Sequence, residues 1–221
     1  MASNTSETKH NYRDEQISAW LRGLLTVAYA DGHFDAEERE FITGLTKNEL
    51  APNTRIDDLQ PISPTSLAEA LGDDMAVKEN FLRTAVMVAI ANGVYSKEES
   101  EIIQSFQEAL GLRVEALKAL EATLWHPGKQ EEEKGGIDLL QPVKHWLDGI
   151  EIKDARLARF ICKMIPSQCP FERDIVLFGR KIVHIPPMCK LNPLYEQLIA
   201  LRFRALSFLA DECKEDVTPY L

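Results

Sequence analysis

Two groups of side chains in this sequence have types and spacing suited to chemistry. The first is the acidic stretch "AYADGHFDAEEREFI", Ala28 to Ile42. Its order Asp-Gly-x-Phe-Asp-x-x-Glu resembles the second half of a calcium loop of the EF-hand type. Such a loop takes oxygen ligands from positions 1, 3, 5, 7, 9 and 12, with glycine at 6. With Gly32 at position 6, Asp31 falls at 5, Asp35 at 9 and Glu38 at 12, while positions 1 and 3 become Val27 and Tyr29. Half the carboxylate cage is therefore missing. Asp31, Asp35, Glu38, a carbonyl near His33 and waters make a weak site, suited to Mg or to millimolar-range Ca. Capping is the competing reading of the same residues, because Asp35 followed three residues later by Glu38 forms a capping box for the next helix.

The second group is Cys162, Cys169, Cys189 and Cys213, all in the last 60 residues, with His184 five residues before Cys189. None of the gaps is the short C-x2-C knuckle of familiar zinc or iron–sulfur sites. A hairpin between Cys169 and Cys189 returns its two ends to one place. That leaves a zinc or iron–sulfur centre as an alternative to simple packing. Free cysteine otherwise behaves as a small buried apolar residue, and Cys162 in "RFICKMI" fits that description. The sequence contains no HExxH, no GxSxG and no glycine-rich phosphate loop, so no catalytic residue is assigned and no enzyme class is indicated.

The elements that position these groups begin with a duplication. "WLRGLLTVAYADGHFDAEEREFI" (20–42) aligns with "FLRTAVMVAIANGVYSKEESEII" (81–103) at a constant offset of 61. Leu21/Leu82, Arg22/Arg83, Val27/Val88, Gly32/Gly93, Glu37/Glu98, Glu38/Glu99 and Ile42/Ile103 are among the identities, and Phe34 is matched by Tyr95. Each copy reads as an apolar-striped helix, a glycine that ends it, an aromatic residue folding back, and a second helix capped by Asp35 or Ser96. The second copy has Asn92 and Ser96 where the first has aspartates, so the acidic site is expected in the first copy alone.

"PTSLAEAL" (64–71) reads as a short helix capped by Thr65 or Ser66, and "LRVEALKALEATLW" (112–125) as a further amphipathic helix. "HPGKQEEEKGG" (126–136) has the charge and glycine of a linker. In the remainder, "LLQPVKHWLDGI" and "DARLARFICKMI" read as helices, the second capped by Asp154. "RDIVLFGRKIVHIP" (173–186) suits a β-hairpin about Phe178-Gly179-Arg180. "NPLYEQLIALRFRALSFLADEC" reads as a long helix capped by Asn192 with Pro193 at its first position. Its apolar stripe runs through Leu194, Leu198, Leu201, Ala205 and Leu209. Arg202 and Arg204 point to different faces and are expected to be solvated or paired.

The fold class expected is mainly α, with residues 1–13 as a disordered tail, an acidic helical bundle over 14–125, a linker over 126–136 and a smaller helical domain over 137–221 with one hairpin. Residues 1–125 hold 21 acids against 11 bases, whereas 126–221 hold 14 of each. An acidic half beside a neutral half disfavours nucleic acid as partner, since phosphate binding needs surplus Lys and Arg. It fits a cation or a basic protein surface. No apolar run approaches the length of a membrane span and the polar start has no signal-peptide core, so a cytoplasmic protein is expected.

The duplicated acidic unit, with its "ADG…E" turn, resembles the TerB-like tellurite-resistance family over Asp14 to Trp125. The resemblance implies a small all-α bundle that acts as a scaffold or signalling module, with divalent cations held near the turn. It implicates Asp31, Asp35, Glu37 and Glu38. The segments "LLQPVKHWLDGIEIKDARLARFICKMIPSQCPFERDI", "LFGRKIVHIPPMCKLNPLYEQL" and "LRFRALSFLADECKEDVTPY" are similar to the cyanobacterial Mo-dependent nitrogenase C-terminus family over Leu139 to Tyr220. That resemblance implies a cyanobacterial source and an association with nitrogen fixation or stress physiology. It does not imply nitrogenase catalysis. Together the two resemblances imply an interaction protein with a protein partner.

Overall fold

The computed structural model describes residues 11–30, 60–90, 95–121, 140–165, 173–177, 180–185 and 194–221. Among them are eight α-helices: α1 (Asp14–Ala28), α2 (Pro64–Leu71), α3 (Met75–Ala89), α4 (Lys97–Ala109), α5 (Ala116–Glu121), α6 (Gln141–Asp148), α7 (Ala155–Met164) and α8 (Tyr195–Ser207). One antiparallel hairpin, β1 (Arg173–Leu177) with β2 (Arg180–Ile185), lies between α7 and α8. Its register pairs Arg173 with Ile185 and Leu177 with Arg180, with an irregularity between Ile175 and Val176. The fold is mainly α with a hairpin at the place the β-branched residues indicated. No helix among the described residues is long and apolar enough to cross a membrane.

Local chemistry accounts for most of the helix starts. At α4, Ser96 Oγ accepts from the backbone N–H of Glu99 at 3.1 Å, and Glu99 Oε2 accepts from the N–H of Ser96 at 2.8 Å. This is the reciprocal box the sequence indicated. At α2 the cap is Ser63, whose Oγ accepts from Ser66 N–H at 3.2 Å, and not Thr65 or Ser66. The reason is Pro64, which has no N–H to leave unsatisfied and takes the first helical position with its φ already suitable. The last long helix also starts later than expected, at Tyr195, with Leu194 in the cap position and no side-chain cap. Asn192 and Pro193 lie outside the described residues. The expected helix over 112–125 is observed as Ala116–Glu121, with residues 112–114 non-helical.

The two copies of the repeat meet at their equivalent aromatic positions. Trp20 of α1 and Phe81 of α3 are both fully buried, their rings edge-to-face at 5.6 Å. Phe81 in turn meets Phe106 of α4 edge-to-face at 5.5 Å. Such pairs add about 1 kcal/mol each beyond the area they bury. Tyr95 folds back as the sequence indicated, 7% exposed, and burial pushes its phenol up to about 12. The corner glycines Gly32 and Gly93 lie outside the described residues; α1 closes at Tyr29 and α3 at Ile90. One continuous apolar cluster then runs from Ile17 and Trp20 through Phe81 and Phe106 to Val143, Leu157, Leu201 and Leu209. The acidic part and the C-terminal part thus share a core. Residues 126–136, read as a linker, lie outside the described residues.

Gly23 shows how tight the joint between α1 and α3 is. A Cβ there would stand 2.7 Å from two ring atoms of Phe81. Gly23→Ala gains about 1 kcal/mol of helix propensity, but overpacking a ring locked between Trp20 and Phe106 costs about 1–3 kcal/mol. The expected outcome is a lower urea midpoint, with the slope unchanged. A raised midpoint would show that the ring can move aside.

Candidate functional site

Asp31, Asp35, Glu37 and Glu38 lie outside the described residues, as do Cys169 and Cys189. His184 occupies β2 opposite Asp174 in the hairpin register. The structure therefore brings none of the acidic-turn residues into view as a group. Among the described residues, no cluster of three or more His, Cys, Asp or Glu side chains is placed to hold a metal.

Cys162 and Cys213 are not disulfide-bonded and are buried, at 3% and 8% exposure. Cys162 lies on the buried side of α7 among Phe160, Ile161 and Ile165. Burial pushes its thiol up to about 11, with Arg202 pulling the other way. A metal ligand or a nucleophile acts as the thiolate, so in this conformation Cys162 behaves as a core side chain.

The densest polar constellation lies instead where the acidic part meets the C-terminal part, centred on Asp154. The sequence identified this residue as the cap of α7, and its Oδ1 does accept from Arg156 N–H at 2.9 Å. Its remaining lone pairs do more. Oδ1 accepts from Arg156 Nε at 3.0 Å and Oδ2 from Arg156 Nη2 at 3.0 Å. Oδ2 also accepts from the backbone N–H groups of Asn11 and Tyr12, at 3.2 and 3.3 Å. Arg156 continues outward, donating to the carbonyl of Tyr12 at 2.8 Å and to Asp14 Oδ1 at the start of α1. Asn11 and Tyr12, assigned to a tail on composition, are therefore tied to a residue more than 140 positions away.

Asp154 is fully buried and Arg156 nearly so. Burial alone would raise the Asp154 pKa, but the hydrogen bonds and charge of Arg156 outweigh it and hold the carboxyl below its ordinary range. A buried ion pair is stabilising only when its other lone pairs and protons are satisfied. Here five donors converge on two oxygens, which meets that condition.

Two residues of α3 extend the seam. Asn80, 2% exposed, donates from Nδ2 to the Glu151 carbonyl at 2.8 Å and accepts from Glu151 N–H at 2.9 Å. Its Nδ2 also reaches the Tyr12 hydroxyl at 3.3 Å. Arg83 donates from Nε to the Trp146 carbonyl at 2.9 Å, with its guanidinium carbon 5.6 Å from the Trp146 ring centre. Gly149 makes room for it, since a Cβ there would sit 3.1 Å from that carbon. Arg22, the matching residue of the first copy, instead donates to the Gln60 carbonyl at 2.8 Å ahead of α2. From the other side, Arg204 of α8 donates to the carbonyls of Asp148 and Ile150, both at 2.9 Å.

Sequence reasoning missed Asn80 and Arg156 as seam residues. Extending the repeat by one residue sets Asn80 opposite Ala19, which the structure buries, and an amide in such a place needs buried partners. Arg202 also departs from expectation. It is 9% exposed and donates to the Ile165 carbonyl at 2.8 Å and to the Tyr220 carbonyl, so it is neither solvated nor ion-paired by these contacts.

The arrangement as a whole is an α-helical architecture whose polar seam is built to hold two parts together. Residues 139–221 match the protein family described as Mo-dependent nitrogenase C-terminus. No curated protein matches the chain, and no solved structure does. Asp154, Arg156 and Glu151 fall inside the matched segment, whereas Tyr12, Asp14, Asn80 and Arg83 lie outside it.

Asp154→Ala leaves the Arg156 guanidinium buried without its main partner, which costs about 3–5 kcal/mol. Because its folded pKa is depressed, Asp154 contributes stability above the ordinary aspartate value of 3.8. That contribution is lost as pH falls through the still lower folded value. The difference in urea-unfolding free energy between the native chain and Asp154→Asn is expected to be constant from neutral pH to about pH 5 and to shrink below pH 4. A difference that grows on acidification would contradict the assigned ionisation.

Proposed function

We propose that this chain is a non-enzymatic interaction or scaffold protein. In this reading a TerB-like acidic bundle over residues 14–125 and the C-terminal segment present one jointly held surface to a protein partner, in nitrogen-fixation or stress physiology. The first acidic turn carries a weak divalent-cation site at Asp31, Asp35, Glu37 and Glu38.

The observation that supports the cation site is the corner of the second copy. There Ser96 and Glu99 start α4 by reciprocal hydrogen bonds alone. At the matching positions the first copy carries Asp31 and Asp35 where the second has Asn92 and Ser96, so its sequence holds two more carboxylates than the second copy does there. Carboxylates so near in sequence repel one another wherever a turn brings them together, and a hard cation would relieve that repulsion. The scaffold reading is favoured by the shared core and by the Asp154 seam, since a surface assembled from both parts requires a fixed joint.

Thermal unfolding of dialysed protein titrated with calcium or magnesium tests this. A free cation tenfold above its Kd adds about 1.4 kcal/mol, which raises Tm by about 3 °C for a chain of this length. The shift is expected to disappear in Asp31→Ala with Asp35→Ala. An unchanged Tm in the native chain, or a shift that survives in the double variant, would remove the acidic turn as a cation site.

A further inference from the structure

The last turn of α8 does not end as an α-helix. Residues Phe208–Glu212 wind as a π-turn, and the chain reverses at Lys214, whose φ of 56° is the left-handed conformation. For a residue with a Cβ that conformation is costly. The turn is held at its root by Glu215 N–H donating to the Leu209 carbonyl at 2.9 Å. Beyond it, residues 215–220 run back over α7 and α8. Asp216 Oδ1 accepts from Thr218 N–H and Oγ1, at 2.9 and 2.6 Å, which shapes the short 3-10 turn Thr218–Tyr220.

This segment is seated on three cations. Arg159 grips the Glu215 carboxylate with both Nε, at 3.1 and 3.0 Å, and Nη2, at 2.7 Å. The Tyr220 hydroxyl donates to the same carboxylate at 3.0 Å. Lys163 Nζ lies 5.8 Å from the Tyr220 ring centre, a cation–π distance. Arg202 donates to the Tyr220 carbonyl. Arg159, Cys162 and Lys163 fall at i, i+3 and i+4 on α7, and so share one face of it. The buried Cys162 thiol feels the charges of both Arg202 and Glu215, which places it close to this seat.

We propose that residues 214–221 form a strap over α7 that opens about Lys214 while the rest of the fold stays intact, and that its opening controls access to the Cys162 thiol. Three features support a local opening. The hinge is a residue in a conformation it would leave readily. The latch is a half-buried ion pair, with only Val217 and Tyr220 of the strap packed, partly buried, against the core. The root of the strap follows a π-turn, a geometry that holds the backbone less tightly than an α-helix. In the open state the thiol would stand beside Arg159, Lys163 and Arg202, which favour the thiolate.

Alkylation of the full chain by iodoacetamide, followed peptide by peptide by mass spectrometry, tests the strap. Cys162 is expected to react at a rate insensitive to low urea, since local opening exposes little surface. Glu215→Gln removes the charge-assisted latch and is expected to speed the reaction about tenfold or more. Tyr220→Ala should speed it without changing any charge near the thiol. Lys214→Gly relieves the hinge conformation and is expected to slow the reaction roughly fivefold. Unchanged rates in Glu215→Gln and Tyr220→Ala would overturn the proposal. So would an equal acceleration by Ser96→Ala, which loosens α4 far from the strap and acts only through global unfolding.

Discussion

The carboxylate of Asp154 takes on three tasks with two oxygens. It caps α7, it neutralises the buried guanidinium of Arg156, and it accepts from the backbone of the segment that leads into α1. Each task alone is ordinary. Their coincidence on one fully buried group ties Asn11 and Tyr12, the start of α1 and the start of α7 to a common point. Desolvating a carboxylate is unfavourable by several kcal/mol, so the group is tolerable only while all these donors stay in place. Asn80 and Arg83 reinforce the joint by satisfying backbone groups between α6 and α7 and at the end of α6, and the apolar cluster runs continuously beneath it.

The duplication shows how such a joint arises from a repeated unit. Trp20 and Phe81 keep one role, the aromatic centre of the bundle, and meet each other there. Arg22 and Arg83 keep their identity but not their partners: one secures the approach to α2, the other the end of α6. Ala19 and Asn80 differ in type, and the amide appears in the copy that faces the C-terminal part. In the second copy α4 starts through Ser96 and Glu99. The contacts of Asn80 and Arg83 with the C-terminal part thus sit on the first helix of the second copy, whereas the additional aspartates Asp31 and Asp35 belong to the first copy's sequence.

Much of the helical architecture was legible because its determinants are local. Apolar stripes on α1, α3 and α8, the Ser96–Glu99 box and the Asp154 cap all depend on residues within a turn or two of one another. The hairpin was legible from β-branched runs around Phe178-Gly179. What escaped were contacts to backbone groups distant in sequence. Arg202 looked like a surface cation because its partners, the carbonyls of Ile165 and Tyr220, leave no mark in side-chain types. The anchoring of Asn11 and Tyr12 was hidden for the same reason, since Asp154 receives their N–H groups. Next to Pro64, where Ser63, Thr65 and Ser66 all have capping side chains, the cap of α2 was misplaced by two or three positions.

The central claim is that this seam makes the acidic bundle and the C-terminal segment one cooperative unit. Native-state hydrogen exchange reads this most directly, through the slowest amides of α3, over residues 81–87, and of α7, over residues 157–161. A single shared opening free energy for both helices, equal to that of global unfolding, is the result expected. Two distinct values, with α7 exchanging while α3 stays protected, would mean that the parts are only neighbours and that the seam does not hold them together.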